Sequence, residues 1–267
     1  MFFRVFSENK LRKGKLMIID IHTHPCLDRP FETMETIIRS AKKLGIDKLC
    51  LLGDVLYFGY EPTPGQIRQI NDSTIAIVKR YPDTLIGFCF LNPAHSKEFI
   101  FEEINRCVIG EKFKGIKLEV AVNARDRRLD PIMEKAHELK VPILHHSWYK
   151  VVDKKPNESD PSDIADLASR FPEVNIIMAH LSGCGIRGVL DIRPFPNVYV
   201  DTSGSQPISG MVEYAVEKLG AERILFGSDV PGRDFSCQLG RIYGAKIGEK
   251  QRRLILGTNA KRLLGIK

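Results

Sequence analysis

Eight short apolar runs rich in β-forming residues recur along this chain, with amphipathic segments of helical period between them. The runs are "MIIDIH" (17–22), "DKLCLLG" (47–53), "TLIGFCFL" (84–91), "FKGIKLEV" (113–120), "VPILHH" (141–146), "VNIIMAH" (174–180), "NVYVDTS" (197–203) and "RILFGSD" (223–229). Near-continuous apolarity is what a parallel strand shows when helices cover one face and a packed interior covers the other. The helical segments run over 33–45, 66–82, 96–108, 130–140, 160–172, 209–220 and 249–265, with a short one over 183–193. In the first, Met34, Ile37, Ile38, Ala41 and Leu44 make one stripe that ends at Gly45. "DPIMEK" and "DPSDIA" each place Asp at a helix N-cap and Pro at the first helical position. Gly257 is a candidate break in the last helix.

Eight strands alternating with helices predict a single-domain α/β protein, a (β/α)8 TIM barrel over residues 17–267. A doubly wound open sheet is the runner-up, but "HTHPCLDRP" after the first run is no phosphate-binding glycine loop. Residues 1–16 are expected to be an extension before the barrel, and Met17 is a candidate alternative start. No apolar run reaches the ~20 residues of a membrane helix. The first residues lack the apolar core of a secretion signal, so the expected location is the cytoplasm. Six cysteines without a CxxC pair suggest neither a zinc knuckle nor a redox motif. The formal charge of +7 gathers at the two ends of the chain. Without interleaved aromatics it reads as solvated surface, so no nucleic-acid partner is expected.

The polar residues that end the runs carry the chemistry. His22 and His24 are two apart, so on a strand they share a face. His145 and His146 end the fifth run, His180 the sixth and Asp229 the eighth. Five of the seven histidines therefore stand at the strand ends where barrel active sites are built. Neutral imidazoles and a carboxylate are ligands for zinc and similar ions. Lys117 and Glu119 share a face of the fourth run. Asp201 and Ser203 end the seventh and are expected to order the pocket. Trp148, Tyr57, Phe58, Tyr60 and the arginines 125, 127 and 128 lie in loops at the same end. Of these, Tyr57, Arg125 and Trp148 are the candidate substrate contacts.

The segments "IDIHTH", "RYPDTLIGFCFLNP", "FKGIKLE", "VPILHHS", "VNIIMAHLSG", "NVYVDTSG", "ILFGSDVP" and "GTNAKRLLG" together resemble the amidohydrolase superfamily, in its amidohydrolase-related branch (amidohydrolase family 2). The resemblance runs from Met17 to about Leu264. It implies metal ligation by His22, His24, the fifth-strand histidine and Asp229, with Asp229 also carrying a proton and His180 as a neighbouring acid/base group. The family spacing of a histidine four residues after a proline selects His146, four after Pro142. Some amidohydrolases bridge two ions with a carboxylated lysine at the position of Lys117. Relatives often have histidine where Glu119 stands; because buried charges are usually paired, Lys117 and Glu119 are expected to be an ion pair beside a single ion, with a second-metal or pocket role as the alternative. Zn2+ is the expected metal, with Mn2+ or Fe2+ as alternatives, and a homodimer is implied by association alone.

The expected activity is hydrolysis of an amide, ester or lactone of a small, anionic substrate. The branch also holds decarboxylases and hydratases of carboxylic acids, which would use the same site. The non-enzyme readings are a metal-binding barrel without turnover and a basic nucleic-acid binder. The full ligand set weighs against the first. The TatD-type deoxyribonucleases also begin with HxH, but "FKGIKLEV" lacks their "GEIGLD"-like segment.

Overall fold

The structure, a computed structural model, describes residues 16–206 and 208–266. The expected extension lies outside the described residues except for Leu16. Nine strands follow in order: β1 (Ile19–Thr23), β2 (Lys48–Leu51), β3 (Leu85–Gly87), β4 (Cys89–Leu91), β5 (Ile116–Leu118), β6 (Ile143–His145), β7 (Ile176–Met178), β8 (Val198–Asp201) and β9 (Ile224–Leu225). Apart from β3 and β4, neighbours in sequence pair in parallel. β3 and β4 are halves of one stave. The Phe88 N–H between them still donates to Leu51 O, and the Cys89 N–H donates to Gly115 O. Eight staves result, one per apolar run. The barrel closes where Ile21 N–H donates to Phe226 O at 2.9 Å and His24 N–H to Val230 O at 2.8 Å.

Strand alternation sorts the side chains. Ile19, Ile21, Cys50, Leu52, Phe88, Leu144, Ile177, Ala179 and Leu225 belong to one buried cluster, the barrel interior. Ile116, Leu118, Ile143, Ile176, Met178 and Ile224 belong to the larger cluster shared with the helices. Full burial of a side chain of this size favours folding by roughly 1.5–3 kcal/mol. Lys117, between Ile116 and Leu118, therefore faces inward. So does His146, two residues after Leu144, while His145 faces the helical layer.

The helices are α1 (Pro30–Lys43), α2 (Pro64–Arg80), α3 (Lys97–Ile104), α4 (Asp130–Leu139), α5 (Pro161–Arg170), α6 (Leu181–Ile192), α7 (Met211–Leu219), α8 (Phe235–Gly244), α9 (Glu249–Arg253) and α10 (Asn259–Leu263). Asp160 caps α5 as expected, accepting from the N–H groups of Ser162 and Asp163. Asp130 does not cap α4. A short 3-10 turn, Arg127–Leu129, precedes it, and Asp130 sits in the first turn with its carboxylate on Arg170 and Arg127. α8, with Phe235, Leu239 and Ile242 buried, is an element the apolar pattern did not single out, because Gly240 and Gly244 dilute its stripe. Gly257 does not end the last helix. A π turn, Leu254–Thr258, joins α9 to α10. A Cβ on Gly257 would stand 1.8 Å from Met17 O, so glycine serves close approach to the chain entering β1.

Candidate metal centre

β1 delivers His22 and His24 to the barrel mouth, with a register irregularity between Asp20 and Thr23. Each ring is clamped at Nδ1. Asp201 Oδ2 accepts from His22 Nδ1 at 2.8 Å, and Gly53 O accepts from His24 Nδ1 at 2.7 Å. Burial, aided by the Lys117 charge, pushes the His22 pKa well below the usual histidine range and that of His24 down to about 4. Both rings are thus neutral near pH 7, with the single proton at Nδ1. Their Nε2 atoms are bare and lie 3.2 Å apart. Asp229 Oδ1 lies 3.7 Å from each. Three lone pairs converge with no proton among them, an arrangement that repels itself unless a cation sits between. The donor set fits a divalent metal.

His180 and Asp229 complete the cluster from the loops after β7 and β9. Both adopt left-handed backbone, φ +68° and +65°, which non-glycine residues rarely do and which functional sites concentrate. The Asp229 N–H donates to His22 O at 2.8 Å, tying this loop to β1 across the barrel seam. Burial, reinforced by the nearby Asp201 charge, raises the Asp229 carboxyl to about 6. His180 donates from Nδ1 to Ser147 O at 3.3 Å and turns Nε2 toward Asp229 Oδ2 at 3.9 Å. Burial, with His146 beside it, holds the His180 pKa well below the usual range, so its Nε2 is also bare. His22, His180 and Asp229 form a group able to hold a metal ion.

The remaining expected ligand stands differently. His146 reaches the mouth, its ring centroid 5.0 Å from that of His180, but both nitrogens meet carboxylates. Glu119 Oε1 is 3.0 Å from Nδ1 and Glu158 Oε1 is 3.1 Å from Nε2. Lys117 Nζ holds Glu119 Oε2 at 2.8 Å, and Lys150 Nζ holds Glu158 Oε1 at 2.7 Å. Burial alone would raise both carboxyls, but the groups facing them outweigh it. His146 and Lys117 drive Glu119 far below the carboxylate range, and hydrogen bonds from His146 and Lys150 bring Glu158 to about 2. Lys117 is therefore an ion-paired lysine here. His145 points away from the centre and donates Nδ1 to His146 O at 2.7 Å.

The profile of the amidohydrolase family matches residues 19–266. The chain belongs to the amidohydrolase family. Solved structures share its barrel. 5-Carboxyvanillate decarboxylase from Sphingomonas paucimobilis is 17% identical, with TM-score 0.75 over 95% of this chain and 100% of that one. Dihydroxybenzoic acid decarboxylase from Polaromonas sp. JS666, with bound manganese and the inhibitor 2-nitroresorcinol, is 18% identical, with TM-score 0.74 over 94% and 98%. 4-Oxalomesaconate hydratase from Rhodopseudomonas palustris is 17% identical, with TM-score 0.69 over 94% and 96%. At such identities the likeness is one of fold.

In this amidohydrolase the centre opens into a cleft of about 350 Å3 that also exposes Trp148, Lys150, Tyr60 and Arg233. A larger groove, about 470 Å3, lies at the other end of the barrel near Phe113, Val141 and Leu264, where no histidine or carboxylate lines it. Trp148 lies against His180, ring centroids 5.0 Å apart, and rests on Gly183, where a Cβ would come within 2.7 Å of the indole. Tyr57 is turned outward, donating to Asp28 Oδ1 at 2.6 Å. Arg125 is held by Asp163 and Asp166 and does not line the cleft. Arg233, Lys150 and Glu158 were not singled out from the sequence. Single charged residues in polar loops carry no periodic signal, and only the folded loops aim them inward.

Proposed function

We propose that this amidohydrolase is a metal-dependent hydrolase of a small anionic substrate bearing an amide, ester or lactone carbonyl. The observation that carries this reading is the proton-free convergence of His22 Nε2, His24 Nε2 and Asp229 Oδ1. A divalent ion bound there, zinc first and manganese or iron as alternatives, would supply a Lewis acid that makes water nucleophilic near neutral pH. Asp229, 3.7 Å from Nε2 of both His22 and His24 and 3.9 Å from His180 Nε2, is placed to take up a proton from water and hand it on. His180 carries its proton at Nδ1, so it accepts at Nε2 first. It donates to a developing oxyanion or leaving group only after protonation. Arg233 places a cation on the cleft wall for an anionic group, beside the Lys150–Glu158 pair, and Trp148 offers an apolar face.

A second reading, decarboxylation or hydration of a small aromatic or unsaturated carboxylic acid, is favoured by the activities named for the solved structures of the same fold. It uses the same centre, with Asp229 or His180 delivering a proton to carbon. The experiment is elemental analysis of chelator-free protein beside a His22→Ala/His24→Ala variant, then assay of the loaded protein on both substrate classes. About one ion per chain, lost in the variant, with turnover of esters, lactones or amides, is the expected result. Carbon dioxide release from aromatic acids with no hydrolysis would select the second reading. Absence of metal from the wild type even after refilling with zinc or manganese would overturn both.

A further inference from the structure

Four histidines at the barrel mouth share one arrangement at Nδ1 and differ at Nε2. Protein oxygens clamp Nδ1 of His22 (Asp201), His24 (Gly53 O), His180 (Ser147 O) and His146 (Glu119). In the first three, Nε2 is bare and turned toward Asp229. In His146 alone, Nε2 is occupied, by Glu158 Oε1 at 3.1 Å. We infer that Glu158 is a positioning residue that competes with the metal for His146 Nε2, making His146 a conditional ligand beside a resident set of His22, His24 and Asp229. The inference rests on the metal-centre reading above.

The path of the chain supports the assignment. Residues 151–156 are all exposed, and then the chain dips so that Glu158 is 2% exposed and lines the cleft. A carboxylate is costly to bury unless it is paired, so this descent has to be stabilised by its partners. Those partners also make the exchange inexpensive. If His146 leaves, Glu158 keeps Lys150 Nζ at 2.7 Å and the Lys155 N–H at 3.2 Å. Glu119 keeps both Lys117 and the Nδ1 side of the ring. No buried charge is orphaned. An outer carboxylate on Nδ1 is the usual support for a metal-bound imidazole, and Glu119 already provides it.

The test is zinc affinity by competition with a chromophoric chelator. It compares wild type with Glu158→Gln, His146→Ala and the His146→Ala/Glu158→Gln double variant. Glu158→Gln is expected to bind zinc about tenfold more tightly, by the scale of outer-partner effects on metal affinity. The gain is expected to vanish when His146 is absent. Unchanged or weaker binding in Glu158→Gln, or a gain that persists without His146, overturns the inference. An independent check in the unmutated protein is 15N NMR of the His146 ring. Nε2 is expected to carry a proton without metal and to lose it when one zinc is bound; an Nε2–H that survives stoichiometric zinc overturns the inference as well. A wild type that holds no zinc, indistinguishable from His22→Ala, would instead overturn the metal-centre reading on which this one stands.

Discussion

At the residue scale, the site is built by oxygens that choose which nitrogen of each imidazole holds the proton. Asp201 does this for His22 and also ties down the backbone around the site. Its Oδ2 takes His22 Nδ1, while its Oδ1 takes the N–H groups of His180 and Ser203 and the Ser203 hydroxyl. Asp201→Asn is expected to lower zinc affinity roughly 10–100-fold with the fold intact, measured by chelator competition. His145 offers a second test, of burial itself. Its Nε2 is buried without a partner, and burial, with Lys117 adding to it, holds its pKa at about 4. Between pH 6.5 and 4 the unfolded chain therefore binds a proton here that the folded chain does not. Stability falls as pH falls through that window. His145→Asn removes the linkage. At pH 5 the variant should recover roughly 2 kcal/mol of the wild type's loss relative to pH 7, by urea unfolding. An identical pH slope in both proteins would show that His145 is protonated at little cost.

At the element scale, short strands aim their last residues and the turns after them complete the aim. Register in the β5–β6–β7 segment pairs Leu118 with His145 and His145 with Met178, which leaves the next residues free at the mouth. The Asp160 cap and the Pro161 that follows start α5 just after the Glu158 descent, so helix geometry helps hold that loop. At the foot of the barrel the π turn brings Gly257 against Met17. Gly257→Ala forces a methyl group into the Met17 carbonyl. Overpacking of this kind costs about 1–3 kcal/mol. The expected result is a fall of roughly 5 °C in thermal midpoint, read by circular dichroism. An unchanged midpoint would mean that the junction yields freely.

At the scale of the whole molecule, the candidate metal cluster straddles the barrel seam. His22 and His24 come from the first stave, and Asp229 follows the last. A bound ion therefore ties the start of the barrel to its end. A ligand that binds only the native state at a thousand times its Kd adds about 4 kcal/mol. Stripping the metal with a chelator should lower the thermal midpoint by about 8 °C, by differential scanning calorimetry, and zinc should restore it. The His22→Ala/His24→Ala variant should show no such response. Among the described residues no helix is long and apolar enough to cross a membrane.

The sequence by itself determined the eight staves, because parallel strands covered on both faces must be apolar along their length, and that pattern is local. It also pointed to His22, His24, His180 and Asp229 as residues of one mouth, because the C-terminal ends of parallel barrel strands all open on the same end. The tertiary structure decided what depends on distant partners. Asp201 selects the His22 tautomer from 179 positions away, Glu119 and Glu158 claim His146, and Asp163 draws Arg125 from the cleft. Strand periodicity assigns a side chain to a face, but the hydrogen-bond partner that fixes its chemistry comes from whichever loop folding brings alongside.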